Sequence, residues 1–324
     1  MTPATECRER MNRLGAEGVP FVFVIDFEME RPVVLPETEA GPNGILYSFN
    51  AASNAGAGTA GQRPFRFGVQ PVPFDEYRAS FGIVEEHILN GDSYLVNLTF
   101  PTRLDTDLTL EEIFFRSSAP YRLLMEDRFV VFSPEAFVRI HDGVISTYPM
   151  KGTIDASVPK AEERLLADPK EIAEHNTIVD LLRNDLGIAA RDIHVKKFRY
   201  IDKVKTNFRE LLQVSSEITG VLGSSYPSVI GDIIFGMLPA GSVSGAPKKR
   251  TTEIIREAER IPRGYYTGVM GRFDGNNLDS GVMIRFIEKN DRGMFFRSGG
   301  GITCFSDPLT EYDEMVKKVY VPFA

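Results

Sequence analysis

The stretch SGGGITCFSDPLTEYDE, residues 298–314, places three glycines shortly before two carboxylates that are one helical turn apart. Glycine has no Cβ, so the main-chain N–H groups of this run are open to an anion. The Ser-Asp-Pro sequence that follows is typical of a helix start, with a capping side chain and a proline in the first turn. Glu311 and Glu314 then share one helix face with Lys318. The stretch predicts an anion cradle, formed by its glycines, beside a pair of acids.

A second pair of acids begins another predicted helix. In DPKEIAEHN, residues 168–176, Glu171 and Glu174 are again three positions apart. Two such helices could hold one cation, and magnesium suits them because it takes hard oxygen ligands and often binds through one or two carboxylates together with an anionic substrate. Zinc is disfavoured because the chain has only two cysteines. The alternative is that all four acids are solvated, since like charges at this spacing weaken a helix by only about 0.2–0.5 kcal/mol.

The composition is that of an ordinary globular chain. Its 324 residues are 43% hydrophobic and 25% charged, which allows one large core or two lobes and excludes large-scale disorder. The net charge of -8 argues against a nucleic-acid partner, which would require a basic face. The first residues are charged where a secretory signal would be apolar, and no run reaches the roughly 18 apolar residues of a membrane helix. We expect a soluble cytoplasmic protein with no nucleic-acid or membrane partner.

Helical and strand patterns occur in blocks along the chain. A helical pattern covers residues 74–90, consecutive strands with turns occupy 128–147, and two helices follow over 159–187. A loop of small residues spans 51–64. Helices grouped between blocks of strands, without regular βαβ alternation, predict an α+β fold with antiparallel sheets. No linker separates independent domains, so we expect one continuous domain.

Two short motifs carry reactive side chains. In YPMKGT, residues 148–153, Lys151 lies between a strand end and a glycine, where its amine could enter a pocket and lose its proton by desolvation. Glu135 follows a Ser-Pro turn and suits a general acid if its surroundings are dry enough to raise the pKa of its carboxyl. Each of these residues alone is more often an ordinary surface residue.

Two further motifs concern helix ends. The small-residue loop LPAGSVSGAPK, residues 238–248, opens a helix, and such an N-terminus suits anions. It lacks the Gly-Lys-Ser/Thr of a phosphate-binding loop. The Arg-Asn-Asp-Leu-Gly run at 183–187 closes the second acidic helix, and we interpret it as structural, with Arg183 and Asp185 holding neighbouring backbone and the glycine as a cap.

Taken in order, these segments strongly resemble the chorismate-utilising enzymes, and within that family the branch of aminodeoxychorismate synthase component I. The match runs from about Phe74 to the C-terminus. It is carried by the blocks GDSYLVNL, SPEAF, PMKGT, EHNTIVDLLRNDLG, LPAGSVSGAPKKRTTEII, YYTGVMG, LDSGVMIR and SGGGI…SDPLTEYDE. The resemblance implies a large α+β fold of antiparallel sheets flanked by helices. A shortened N-terminal part, residues 1–73, would pack on the chorismate-binding catalytic region at 74–324.

The resemblance also implies magnesium dependence and a set of site residues. Its metal carboxylates fall on Glu174 and Glu314, with Glu171 and Glu311 as close partners. Its substrate contacts, carried over by motif, are Tyr266, Arg285, Gly299, Gly301 and Lys318, with Ser242 and Gly245 in the anion-binding loop.

Two positions indicate the branch. Lys151 is typical of aminodeoxychorismate synthases, whereas anthranilate synthases resemble one another in having alanine there. The water-activating lysine of isochorismate and salicylate synthases is Leu95 here, which can neither take nor give a proton. One departure from the family pattern is Gln213, which replaces the usual histidine and carries no proton at neutral pH.

The reaction implied by the resemblance is amination of chorismate. Lys151 would attack C2 while Glu135 protonates the departing C4 hydroxyl, and ammonia would then give 4-amino-4-deoxychorismate for p-aminobenzoate and folate biosynthesis. The ammonia would come from a separate glutamine amidotransferase subunit. Two alternatives remain open, namely anthranilate synthase component I and a non-catalytic chorismate-binding protein that keeps the cradle.

Overall fold

The computed structural model describes residues 1–56, 63–205 and 210–323. The predicted small-residue loop at 51–64 therefore lies partly outside the described residues. The helices of the described part are α1 (Pro3–Ala16), α2 (Glu37–Ala40), α3 (Phe74–Leu89), α4 (Leu110–Arg116), α5 (Ala161–Ala167), α6 (Pro169–Gly187), α7 (Ile230–Gly236), α8 (Lys248–Glu259) and α9 (Pro308–Lys317).

The strands of the described part are numbered in chain order. They are β1 (Phe21–Ile25), β2 (Val33–Pro36), β3 (Ile45–Phe49), β4 (Ala52–Ser53), β5 (Phe67–Gln70), β6 (Leu95–Thr106), β7 (Tyr121–Met125), β8 (Phe129–Ser133), β9 (Ala136–His141), β10 (Val144–Thr147), β11 (Met150–Asp155), β12 (Arg191–Lys205), β13 (Glu210–Val221), β14 (Gly245–Ala246), β15 (Val269–Phe273), β16 (Leu278–Val282), β17 (Phe286–Asn290) and β18 (Gly293–Ile302).

These strands form two antiparallel sheets. In the first sheet β13 pairs with β10, β11 and β12, and the sheet continues through β9, β16, β15 and β1 to β2. In the second sheet the order is β14, β6, β18, β17, β8, β7, β3 and β4, with β5 also paired to β6. The predicted α+β class with antiparallel sheets is confirmed.

Strand β1 shows how the two sheets pack together. Its sequence FVFVI is buried at every position. Phe21, Phe23 and Ile25 face a core that also contains residues of α1, α6 and α7. Val22 and Val24 face a second core, which contains aromatic residues of β3, β7 and β8 from the other sheet. Because side chains alternate along a strand, β1 lies between a helical layer and the second sheet.

Other helices cover the second sheet. Residues of α3, α8 and α9 pack on β6 and β18 in one further core. Helix α4 packs on β7 and β8 in another. None of the helices in the described ranges has the length and apolar character of a membrane span.

The N-terminal segment contributes to both sheets. Strands β1 and β2 belong to the first sheet, whereas β3, β4 and β5 belong to the second. The segment is thus interleaved with later parts of the chain. The domain boundary at residue 73 stays a prediction.

A buried ion pair connects the end of α8 to the strands beside it. Arg263 is 1% exposed and forms two hydrogen bonds to the carboxylate of Glu259, at 2.6 and 2.9 Å. The same guanidinium donates to the main-chain oxygens of Val243 and Asn97, at 2.8 and 2.6 Å. Glu259 in turn accepts the main-chain N–H of Thr99 in β6. The pair therefore fixes the spacing between α8, β6 and the loop before β14.

We predict that Arg263→Met destabilises the fold by about 3–5 kcal/mol, because it leaves the Glu259 carboxylate buried without its partner. The free energy of unfolding from urea denaturation measures the effect. Arg250→Met is the matched control, since Arg250 forms exposed ion pairs with Asp92 and Glu253 and should cost about 1 kcal/mol or less. Equal losses in the two variants would contradict the role assigned to Arg263.

Candidate active site

The amine of Lys151 lies beside the acidic end of helix α6. Lys151 is the second residue of β11, and its Nζ is 3.4 Å from Oε2 of Glu174. A Cβ atom on Gly301 would lie 3.4 Å from this Nζ and 2.9 Å from Cδ1 of Leu95. One quarter of the Lys151 side chain is exposed. The side chain is thus partly exposed, and its amine is placed over the glycine end of β18.

Glu171 lies one turn earlier on the same helix. Gly152 has a φ of +80°, and a Cβ atom there would lie 3.0 Å from Oε2 of Glu171. A side chain at this position would be strained by its backbone and would press on the carboxylate. Gly152 therefore allows α6 to bring its two acids close to the strand that carries Lys151.

Helix α9 brings a second group of charges to the glycine run of β18. Asp307 caps α9 by accepting the N–H of Thr310, and proline begins the helix, as the sequence predicted. Glu311 is buried and accepts the hydroxyl of Ser306 at 2.8 Å. A Cβ atom on Gly300 would lie 3.4 Å from Oε2 of Glu311. The buried acid of α9 is therefore next to the glycine run.

Lys318, one residue beyond α9, faces the same run. Its Nζ is 2.7 Å from Oε1 of Glu314 and donates to the main-chain oxygen of Gly299 at 2.9 Å. Burial lowers the pKa of the Lys318 amine, and the positive charges of Lys151 and Arg285 lower it further, whereas Glu314 opposes the change. The two groups of charges, from α6 and from α9, therefore meet at adjacent glycines of β18.

The glycine run of the predicted cradle lies in strand β18. It pairs with β6 along its length, with Gly299 opposite Thr99 and Gly301 opposite Asn97. A Cβ atom on Gly299 would come within 2.3 Å of the main-chain oxygen of Leu98. Close pairing with β6 thus requires glycine at 299, while the next two positions leave room for the charged side chains.

Glu135 lies at the turn between β8 and β9 and is held by a serine. The Oγ of Ser242 donates to Oε1 of Glu135 at 2.5 Å. Burial raises the pKa of the Glu135 carboxyl, and this rise is opposed by the Ser242 hydrogen bond and by the positive charges of Lys151 and Arg285. A carboxyl of this kind retains its proton to higher pH than an exposed one, which suits a general acid.

Ser242 belongs to the small-residue loop that precedes α8. The loop forms a short turn at Gly241–Val243 and then pairs with β6 through β14. Gly245 has a φ of +140°, and a Cβ atom there would lie 1.8 Å from the main-chain oxygen of Leu95. Glycine at 245 is therefore required by this close pairing, which places the loop beside Leu95.

Arg285 and Tyr266 complete the predicted set. Arg285 has a φ of +53°, a conformation that a non-glycine residue adopts only when its surroundings hold it there. Its guanidinium lies 5.2 Å from the ring centre of Tyr320. Tyr266 is buried, and burial raises the pKa of its hydroxyl to about 12, so the phenol is neutral. The positive charge of Arg285 lowers the pKa of Glu135, of Tyr266 and of Lys318, which indicates that Arg285 lies near all three groups.

The structure also identifies residues that the sequence did not single out. His175, next to Glu174, is fully buried, and its Nε2 is 2.7 Å from Oγ of Ser216 in β13. Burial, with the nearby charges of Arg199 and Lys151, lowers the pKa of His175 to about 4. The neutral ring therefore braces α6 against the first sheet. The only sequence signal was the position of this histidine beside an acid.

The four glutamates of α6 and α9 supply oxygen donors, but they do not form a complete coordination shell by themselves. Within the described ranges, no three His, Cys, Asp or Glu side chains lie together as a metal site on their own. Oxygen donors that leave coordination positions for water and substrate are typical of magnesium sites, which seldom consist of protein ligands alone. The carboxylate oxygens of these glutamates are therefore of the ligand type that magnesium prefers.

Comparisons with known proteins identify the family of the chain. Residues 49–323 match the model of the chorismate binding enzyme family. The chain is 50% identical over 316 residues to an uncharacterized PabA-like protein of Haemophilus influenzae, covering 97% of this chain and 95% of the relative. It is 33% identical over 278 residues to aminodeoxychorismate synthase component 1 of Bacillus subtilis, covering 80% of this chain and 57% of the relative.

A solved structure agrees as well. Anthranilate synthase component I of Streptococcus pneumoniae superposes with a TM-score of 0.65 at 25% identity, covering 78% of this chain and 58% of that one. Since the family match spans most of the chain, and the cluster of charges at β18 lies inside it, the chain belongs to the chorismate binding enzyme family.

Proposed function

We propose that the chain is component I of aminodeoxychorismate synthase, which converts chorismate and ammonia to 4-amino-4-deoxychorismate for p-aminobenzoate and folate biosynthesis. The observation that carries the proposal is the joint placement of a lysine amine and a partly buried carboxyl. Lys151 lies over Gly301, and its charge acts on Glu135, whose carboxyl has a raised pKa. A nucleophile and an acid in one charged region suit displacement of a hydroxyl group.

The proposed mechanism has two displacements. The neutral amine of Lys151 forms a bond to C2 of the chorismate ring, the ring double bonds shift, and the C4–oxygen bond breaks. Glu135 gives its proton to the departing oxygen, which leaves as water. Ammonia then forms a bond to C4, the double bonds shift back, and the C2–nitrogen bond breaks to release the neutral amine of Lys151. The new C4 ammonium gives a proton back to the Glu135 carboxylate, which restores the acid. Splitting one difficult substitution into two steps is the general advantage of a covalent intermediate.

The positive side chains of the site suit a substrate with two carboxylates. The positive charges of Arg285 and Lys151 act on Glu135 and also on Lys318, which supports the placement of these side chains near one another. Charge-assisted hydrogen bonds from such groups are stronger than neutral ones. They would hold the ring in place and so contribute to catalysis by orientation. Tyr266, as a neutral phenol, would add a hydrogen bond or a packing surface.

Magnesium is part of the proposal. Glu174 and Glu314 would hold the ion, with Glu171 and Glu311 beside them binding directly or through water. The bound ion would supply positive charge for one substrate carboxylate. In the structure Glu174 is next to Lys151 and Glu314 is next to Lys318, so each acid is close to a group that the proposed reaction uses.

A glutamine amidotransferase subunit is the proposed source of ammonia. The Bacillus subtilis relative is named as a component 1, which supports a partner subunit for this chain as well. The leading alternative, anthranilate synthase component I, would release pyruvate and give a fluorescent product. A non-catalytic chorismate-binding protein would give no product, so analysis by mass of a reaction with chorismate, magnesium and ammonium separates all three.

Lys151 is the proposed nucleophile. Lys151→Ala should reduce 4-amino-4-deoxychorismate formation by roughly a thousandfold or more, as expected when a covalent nucleophile is removed. The rate is measured by mass spectrometry of the product with ammonium as nitrogen source. Lys289→Ala, at an exposed lysine of β17, is the control and should retain full activity. Undiminished product from Lys151→Ala would overturn the assignment.

The pH dependence of the proposed reaction rests on the proton of Glu135. The Ser242 hydroxyl stabilises the Glu135 carboxylate and so lowers the pKa of Glu135. The acid must be protonated to act, so activity falls as pH rises through this pKa. Ser242→Ala should raise the pKa and move the falling alkaline limb of kcat to higher pH by about one unit.

This shift is read as the difference between variant and parent profiles at constant free ammonia, so that titration of other groups cancels. Ser224→Ala, at an exposed serine, should leave the profile in place. A limb that moves to lower pH in Ser242→Ala would contradict the role of Glu135 as the acid.

Glu174 is a proposed ligand of magnesium. Glu174→Gln keeps the shape of the side chain but removes its charge, so the magnesium concentration that gives half-maximal chorismate binding should rise by at least about tenfold. Equilibrium titration of chorismate at several magnesium concentrations measures this. Glu163→Gln, at an exposed acid of α5, serves as the control. If both variants require the same magnesium concentration as the parent, Glu174 is not a ligand.

A further inference from the structure

The turn that carries Ser242 is held from two sides. On one side the guanidinium of Arg263 donates to the main-chain oxygen of Val243 at 2.8 Å. On the other side the turn rests on helix α6: a Cβ atom on Gly241 would lie 2.8 Å from Oδ2 of Asp185 and 3.0 Å from the Leu181 side chain. The carboxylate of Asp185 is therefore in direct contact with the turn.

Asp185 is tied to the far end of the same loop. Its Oδ1 is 2.6 Å from Nζ of Lys248, the first residue of α8. The same Nζ donates to the main-chain oxygen of Met237, which precedes the loop, at 2.7 Å. Lys248, the last residue of the loop, thus connects the loop to Met237, the residue before it, and to Asp185 of helix α6.

The Asp185 side of this ion pair is buried, and burying a charge costs free energy. Asp185 is 5% exposed. Burial raises the pKa of Asp185, and the adjacent Lys248 opposes the rise. Buried ion pairs often contribute little net stability, because desolvation offsets much of their attraction. Stability alone is therefore a weak reason for such a pair, and its position under the turn suggests another one.

We propose that the Asp185–Lys248 ion pair is a positioning device that fixes the Gly241–Val243 turn so that Ser242 keeps its hydrogen bond to Glu135. The inference deepens the proposed function, since it rests on the role proposed for Glu135. Asp185 and Lys248 do not touch the reacting atoms, so they are positioning residues. From the sequence, Arg183 and Asp185 were predicted to hold neighbouring backbone. The backbone that Asp185 contacts is the turn that carries Ser242, the partner of Glu135.

The geometry explains why a small displacement would matter. A functional constellation must stay within about 0.5 Å of its working geometry, and the Ser242 hydroxyl that holds Glu135 belongs to this turn. Helix α6 also carries Glu174, which lies beside Lys151. Helix α6 therefore carries Glu174, the neighbour of Lys151, near its N-terminus. Near its C-terminus it carries Asp185, which contacts the turn of Ser242.

The test reads the Glu135 carboxyl directly and does not depend on turnover. The protein is labelled with carbon-13 at glutamate carboxyls, the Glu135 signal is assigned with Glu135→Gln, and its titration is followed by NMR. Lys151 and Arg285, the charged groups that act on Glu135, remain in every variant. Ser242→Ala should raise the midpoint by about one pH unit.

Lys248→Met should raise the midpoint by a similar amount. The double variant Ser242→Ala/Lys248→Met should show no further shift, because both changes remove the same hydrogen bond. A midpoint for Lys248→Met equal to that of the parent would overturn the proposal. So would fully additive shifts in the double variant, since they would mean that Lys248 acts on Glu135 independently of Ser242.

Two further variants guard against a simple loss of folding. Lys248→Met/Asp185→Asn removes the tether without leaving a buried unpaired charge, and it should give the same shift as Lys248→Met. Lys249→Met, at the exposed neighbouring lysine, should leave the midpoint unchanged. If the parent makes no product from chorismate and ammonium but the shifts occur as expected, the positioning role stands and the proposed reaction is wrong.

Discussion

The site depends on the position of one buried side chain, the guanidinium of Arg263. It meets Glu259 at the end of α8, the oxygen of Asn97 in β6 and the oxygen of Val243, the residue after Ser242 in the loop before α8. These three segments are far apart in sequence. A planar group with five fixed donors can satisfy three acceptors at once, which lysine cannot do with the same geometry. The burial of this charge is tolerated because each acceptor is close.

Strand β6 transmits that constraint to the charged region. It pairs with β14 through Gly245 and with β18 through the glycine run. Both pairings bring main chain so close that a Cβ atom would collide, at Gly245 and at Gly299. The remaining glycines of the run then lie against Glu311 on one helix and Lys151 on another strand. The glycines therefore serve two purposes, close strand pairing and space for charged groups.

Much of the local structure could be predicted from the sequence. The cap at Asp307, the helix beginning at Phe74 and the antiparallel α+β class follow from rules that act over a few residues, and the structure confirms them. The sequence predicted an anion cradle at the glycine run but not its pairing as a strand, because glycine disfavours strands in general. Nine residue pairs with β6 overrode that preference. The requirement for glycine is visible only when the partner strand is in place.

The sequence by itself determined which reactive side chains are present and how the acids are spaced on their helices, since a helical turn fixes neighbours three positions apart. It also carried the resemblance that the family match bears out. Only the tertiary structure decided that Glu174 meets Lys151, that Ser242 reaches Glu135 and that Asp185 pairs with Lys248. Such contacts join residues more than 20 positions apart, and their geometry is set by sheet pairing and core packing, which no local pattern encodes.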